Sequence, residues 1–319
     1  MSLKVFLEVV EIKTKIASLF PFLIGVLFSI NFFHQFNVLN TVLFFIGMLI
    51  FDLTTTAINN YMDFEKAKSQ EYKFQQNVIG REGLKPSMIR NMILGMLAFV
   101  LVMGILLTIR TGWLLFVMGF VCCFIGVFYT YGPVPLSRMP LGEVFSGVTM
   151  GLGIFAMVVY VNTMDPTIFY LSLQLGKGSF ALTGNIWQIF AMVWASLPLI
   201  FTIANIMLAN NLRDLETDIQ NHRYTLVYYI GRETGIRLFS VLMYGCYAVL
   251  LIGVLARVFD WPVLLALLTF PKVQSHLRAH RKELPHPHSF VYSLKNMVLF
   301  NSAYAAGLLL SIFWQLWVG

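Results

Sequence analysis

Asn210, Asp214 and Asp218 recur at four-residue intervals at the end of a long apolar run that begins near Ile186. If that run is a helix continuing through them, three oxygen-bearing side chains share one face, about 6 Å apart along the axis. Asn59 and Asp63 repeat the spacing at the end of a much earlier apolar run. A single Asp at a wet helix end needs no function, so the weight rests on the set and its turn spacing. Clustered carboxylates repel one another unless a cation joins them. Hard oxygen ligands suit Mg²⁺, which binds through one or two carboxylates together with substrate phosphates. The two acidic helix ends therefore point to an Mg²⁺-diphosphate site between them. Arg213 lies within the later motif, and Arg223 and Arg81 are candidates for holding outward-facing phosphate oxygens.

The elements that must position these groups lie in a membrane. Of 319 residues, 58% are hydrophobic and only 12% charged, against about 25% charged in soluble domains. Runs long enough to span a bilayer occupy residues 16–33, 38–61, 89–109, 113–131, 141–161, 186–209, 238–256 and 297–317. A short ninth candidate, 261–270, lies between Pro262 and Pro271. Charge decides in its favour. With nine spans and a cytoplasmic N-terminus, only Arg110, Lys177 and Arg257 of the 22 basic residues fall outside, a strong positive-inside asymmetry. Both acidic motifs then emerge on the cytoplasmic side and can face each other. The net charge of +7 is explained by orientation, so no nucleic-acid partner is expected.

The expected fold is all-α, a single domain over residues 1–319. The first fifteen residues read as an amphipathic helix on the membrane surface rather than a cleaved signal. Cys122, Cys123 and Cys246 lie in apolar runs without metal-site spacing. The external connection 162–185 carries no evident chemistry. Asp52 sits inside the second span, where a charge is costly. It is either functional or protonated and hydrogen-bonded to Thr54, Thr55, Thr56 or another helix. His276, His280, His286 and His288 alternate with basic residues and prolines and read as a solvated loop.

Tyr129-Thr130-Tyr131-Gly132-Pro133, followed by Pro135, Ser137, Arg138, Gly142 and Glu143, forms a tight turn between two spans. Taken alone it is a Gly/Pro helix hairpin with an aromatic belt. Beside a diphosphate site, Tyr129 and Tyr131 could offer ring faces to a carbocation, and Arg138 could bind the leaving group.

Together the residues resemble the UbiA superfamily of intramembrane prenyltransferases, most of all the 1,4-dihydroxy-2-naphthoate polyprenyltransferases. The resemblance is carried by Asn59-Asn60-Tyr61-Met62-Asp63, by the turn from Tyr129 through Glu143, and above all by Asn210-Asn211-Leu212-Arg213-Asp214 through Asp218, Arg223, Thr225-Leu226 and Gly231. It implies nine transmembrane helices around a central cavity, and Mg²⁺ held by Asn59, Asp63, Asp214 and Asp218. Asn60, Asn210, Asn211, Arg81, Arg138, Arg213 and Arg223 would bind substrate, with Tyr129 and Tyr131 beside the reacting carbon. The implied reaction joins a polyprenyl diphosphate to a hydroxylated aromatic acceptor in the cell membrane, on its cytoplasmic face. For dihydroxynaphthoate, carboxylate loss accompanies substitution; 4-hydroxybenzoate, haem, a chlorin or another quinone precursor are the alternatives.

The chain departs from the family where Asn60 stands in place of an Asp, and where Ala67 and Ser69 occupy positions near a further expected Asp. Glu65 or Glu71 would have to compensate, and the second motif is expected to carry more of the metal binding. Lys13 and Lys15 replace the usual Arg-Pro before the first span. An ion-coupled transporter is the rival from another class, but transporters place ionisable groups near the bilayer midplane, whereas these carboxylates lie at one boundary.

Overall fold

The computed structural model describes residues 1–67, 70–130 and 136–318. The chain opens with α1 (Leu3–Val9), capped by the Ser2 hydroxyl, which accepts from the Val5 amide. Glu11 then takes a left-handed conformation, φ 46°, and a 3-10 turn (Ile12–Lys15) leads into α2 (Ile16–Phe33). Val9 and Val10 are fully buried against Leu53, Ala57, Val78, Ile79 and Ile89. The amphipathic start of the chain is therefore docked on the helices behind it.

α3 (Val38–Lys66) starts at Asn37, whose side chain accepts from the Asn40 amide in the manner of an N-cap. The short α4 (Val78–Arg81) is capped by Asn77 in the same way. α5 (Pro86–Thr111) begins on a proline, the position where a missing N–H costs nothing, and α6 (Trp113–Thr130) follows. From Gly142 comes one continuous helical run: α7 (Gly142–Ser146), a π-helical stretch (Gly147–Gly153) and α8 (Ile154–Thr163).

α9 (Ile186–Gln220), 35 residues long, is followed by α10 (Leu226–Ile230) and α11 (Arg232–Leu255). A 3-10 helix (Trp261–Thr269) runs directly into α12 (Phe270–Glu283), and α13 (Val291–Val318) ends the described chain.

Among the described residues, seven helical runs are long and apolar enough to cross a membrane: Ile16–Phe33, Val38–Lys66, Pro86–Thr111, Gly142–Thr163, Ile186–Gln220, Arg232–Leu255 and Pro287–Trp317. Each corresponds to a span read from the sequence. The other two expected spans are helical too, as a shorter apolar helix at Trp113–Tyr129 and as the 3-10 helix.

Two expectations need correction. The fold is not purely α: the connection between α8 and α9 forms an antiparallel hairpin, β1 (Phe169–Gln174) with β2 (Ser179–Gly184), Phe169 opposite Gly184. Gly178, at φ 62°, supplies the left-handed residue the reversal requires. His276 and His280 are also not in a solvated loop. They lie four residues apart on one face of α12 and are 9% and 0% exposed. The His280 ring stacks on Phe239, centroids 4.2 Å apart, and His276 Nδ1 lies 2.8 Å from Asn296 Oδ1. The helix continues from Phe270 until the break before Pro285, so its turn spacing prevails over its polar composition.

The main core joins α2, α8, α9, α11, α12 and α13 around residues such as Phe28, Phe155, Leu199, Phe239 and Tyr304. One close approach within it sets the site. A Cβ added at Gly147 would fall 2.8 Å from the Ile200 carbonyl oxygen, and one at Gly151 2.7 Å from the Ile200 amide nitrogen. Small residues four apart let helix backbones touch, and here they press the α7 to α8 run against α9.

Candidate active site

The two acidic motifs sit on α3 and α9, and α9 remains helical through Gln220, so Asn210, Asp214 and Asp218 do lie on successive turns. The inward stripe is shifted by one residue, however. Asn211 and Asp218, seven apart, are 4% and 6% exposed, while Asn210 and Asp214 are only half-buried at its edge. Seven residues amount to nearly two turns, which returns the chain to the same face.

Arg213 braces the edge. Its Nε donates to Asp214 Oδ1 at 2.6 Å, and its Nη2 donates both to Asp214 Oδ2 and, at 2.6 Å, to Asn210 Oδ1. Its guanidinium also lies 5.2 Å from the Phe290 ring centroid, which fixes its plane.

Arg223 joins the two motifs. Its amide donates to the Asp218 carbonyl at 2.8 Å, and Nη1 lies 3.6 Å from Asp218 Oδ1. It is also the strongest charged neighbour of Asp63 on α3, followed by Arg138, and it reaches Tyr129 on α6. Arg223 is thus paired with Asp218 and within electrostatic reach of Asp63 and Tyr129. The Tyr129 hydroxyl donates to the Gly142 carbonyl at 3.3 Å, fixing its ring at the base of α7. Asn59 is half-buried on α3, one turn before Asp63. Tyr131 lies outside the described residues.

Two expected substrate-binding residues are occupied elsewhere. Asn60 Nδ2 donates to the Val9 carbonyl at 2.8 Å and to Glu11 Oε1 at 3.3 Å. Arg81 pairs with Glu8 of α1 and lies 3.4 Å from Glu82. Both hold the start of the chain against α3 and α4. Of the two compensating acids considered, Glu65 and Glu71 are exposed, and it is Glu11 that stands within electrostatic reach of Asp63.

Three further sets of contacts escaped sequence reasoning. Tyr72, in the turn Tyr72–Gln76, lies near Asp63; burial, then the Asp63 charge, holds its hydroxyl above the ordinary tyrosine range. Lys15 is the partner of Asp52: its amine donates to Asp52 Oδ1 and to the Asp52 carbonyl, both at 3.0 Å, and to Thr56, while Ser18 donates to Asp52 Oδ2. Glu143, 4% exposed, accepts from Asn211 Nδ2 at 2.8 Å. The partners are 37 and 68 residues apart, beyond any local spacing rule.

The donors are carboxylate and amide oxygens, the ligands of a hard divalent cation. Among the described residues no three His, Cys, Asp or Glu side chains converge into a ready metal cage, and Arg213 and Arg223 pair with Asp214 and Asp218. The donor set suits a cation held by one or two carboxylates and completed by phosphate oxygens.

The sequence pattern of the UbiA prenyltransferase family matches residues 18–294. The 1,4-dihydroxy-2-naphthoate octaprenyltransferase of Bacillus subtilis (strain 168) is 26% identical over 228 residues, covering 71% of this chain and 66% of that protein, just under two thirds of its length. Among solved structures, a UbiA homologue from Archaeoglobus fulgidus bound to DMAPP and Mg²⁺ superposes with a TM-score of 0.62 at 11% identity, over 95% of this chain and 98% of the other. The apo UbiA homologue from Aeropyrum pernix K1 gives 0.65 at 12% identity, over 91% and 96%. These likenesses establish a shared fold, and the pattern match spans most of the chain from the first membrane helix to the start of α13. On that match, the chain belongs to the UbiA prenyltransferase family.

Proposed function

We propose that the protein transfers a polyprenyl group from a polyprenyl diphosphate to 1,4-dihydroxy-2-naphthoate, with loss of the carboxylate, giving demethylmenaquinone and diphosphate. The observation that carries this reading is Arg223, paired with Asp218 of α9 and within electrostatic reach of Asp63 of α3. Two acidic helix ends that share one arginine's field offer a site for a metal-complexed diphosphate. The Bacillus relative supports the choice of acceptor.

Asp63, Asp214 and Asp218, with Asn59, would hold Mg²⁺. The chemistry supplied by the bound ion is neutralisation of the diphosphate as it leaves. Arg223 and Arg138 swing from the carboxylates to the outward phosphate oxygens, a charge-assisted contact that strengthens as the allylic C–O bond breaks. Arg213 keeps Asp214 oriented. The Tyr129 ring, anchored through its hydroxyl, faces the allylic cation and shields it from water. Nine membrane-crossing segments enclose the polyprenyl tail in a cavity open to lipid, with the N-terminus and the site on the cytoplasmic face of the cell membrane.

The acceptor is tested by offering dihydroxynaphthoate and 4-hydroxybenzoate side by side to membranes containing the protein, with one polyprenyl diphosphate and Mg²⁺. Preferential prenylation of the naphthoate, with release of CO₂, is expected. Preference for the benzoate would reassign the acceptor within the family, and no transfer to any aromatic ring would reject the reading.

A further inference from the structure

Glu143 stands at the first turn of α7, 4% exposed, with its two carboxyl oxygens in different situations. Oε1 accepts from Asn211 Nδ2 at 2.8 Å. Oε2 is buried and has no hydrogen-bond partner among the described residues. A buried carboxyl oxygen left unpaired costs free energy that an apolar or amide side chain would avoid. Tethering α7 to α9 does not require the carboxylate, since a Gln carbonyl would accept the same Asn211 bond. The second oxygen therefore calls for a donor that arrives with a ligand.

The surroundings narrow that donor. The Tyr129 hydroxyl donates to the carbonyl of Gly142, the residue before Glu143, at 3.3 Å, and Asn211 shares the buried stripe of Asp218, so the carboxyl lies next to the groups already described. Asn211 lies on the same stripe of α9 as Asp218 but seven residues nearer the bilayer interior, about 10 Å along the axis. A diphosphate at the Asp218 level is an anion that a carboxylate repels, and its apolar tail offers no donor. A cation at Oε2 would need further acidic ligands, and none stands with Glu143 among the described residues. What remains is a neutral hydrogen-bond donor on a planar molecule resting beside the Tyr129 ring.

We infer that Glu143 Oε2 receives a ring hydroxyl of the aromatic acceptor, making Glu143 a specificity-determining residue that selects hydroxylated rings and orients them toward the allylic carbon. This rests on the proposed prenyl transfer. A hydrogen bond from the hydroxyl to a carboxylate also raises electron density in the ring, which favours attack on a cation. Discrimination follows from the same contact, because an acceptor whose hydroxyl is capped leaves the buried carboxyl unpaired, and sites of that kind reject the wrong partner strongly.

The test compares wild type with Glu143→Gln, using dihydroxynaphthoate and its mono-O-methyl ethers as acceptors. Binding of the polyprenyl diphosphate with Mg²⁺ is read separately, as protection against thermal unfolding in detergent. In Glu143→Gln the protection is expected to stay within about three-fold in apparent affinity, kcat/KM for the hydroxylated acceptor to fall about 100-fold, and the preference for hydroxyl over methoxy to collapse. A variant with acceptor kcat/KM and hydroxyl preference both within about three-fold of wild type overturns the inference and leaves Glu143 as a tether alone. If Glu143→Gln does not fold, Glu143→Asp decides. Withdrawing the charge by one methylene should raise the acceptor KM while the hydroxyl preference persists, and an unchanged KM overturns the inference. A wild type that prenylates no hydroxylated ring sinks the functional reading and this inference with it, whereas an active wild type with an indifferent Glu143→Gln sinks only this inference.

Discussion

Lys15 and Asp52 are an ion pair inside a helical bundle, with side chains 4% and 17% exposed. The sequence shows a charge in the second span but not its partner, because contact between the start of α2 and the middle of α3 depends on packing rather than spacing. Removing one member of a buried pair leaves an uncompensated charge. Lys15→Met is therefore expected to cost about 3–5 kcal/mol in thermal unfolding, and the double change with Asp52→Leu to recover much of it. A single variant as stable as wild type would show the pair to be water-screened. The acidic motifs were legible because oxygen ligands on turn spacing are a local signal. The contacts of Asn60 and Arg81 with the start of the chain were not, since that segment is brought there by burial of Val9 and Val10. Arg223→Gln is expected to raise the apparent KM for the polyprenyl diphosphate about ten-fold or more, while leaving the acceptor KM nearly unchanged.

At the scale of elements, the long helices could be read from hydropathy, and α9 could be followed to Gln220 because no Gly or Pro interrupts it after Pro198. The contact between the α7 to α8 run and α9 could not. It depends on which face of Gly147 and Gly151 meets Ile200. Gly151→Val forces those backbones apart and should cost about 1–3 kcal/mol, with loss of the Glu143–Asn211 alignment seen as reduced acceptor turnover. α12 escaped its reading because its polar residues alternate with basic ones, while His276 and His280 share its buried face. Burial pushes the His280 imidazole down to about 4 from an ordinary 6.5. Between those values the unfolded chain binds the proton and the folded one does not, so stability is complete above pH 6.5 and falls as the pH drops toward 4, by up to about 3 kcal/mol. Unfolding midpoints of wild type and His280→Phe across that window check it: the acid-sensitive difference should vanish in the variant.

For the whole molecule, composition and basic-residue asymmetry gave a multi-pass bundle, and the seven long apolar runs agree with it. The β hairpin was missed because its short alternating strands lie among loop residues. Topology is open to direct labelling: single cysteines at Lys73 and Asn221 should react with an impermeant maleimide from the cytoplasmic side only, and one at Lys177 from the opposite side. The central claim is that acidic ends of α3 and α9 together activate a prenyl diphosphate. Its most direct measurement is prenyl transfer to dihydroxynaphthoate by membranes carrying wild type, Asp63→Asn or Asp214→Asn at matched protein levels, with and without Mg²⁺. The account predicts turnover by wild type only with Mg²⁺, and a loss of about 100-fold or more in each variant. Full activity in both variants would contradict it.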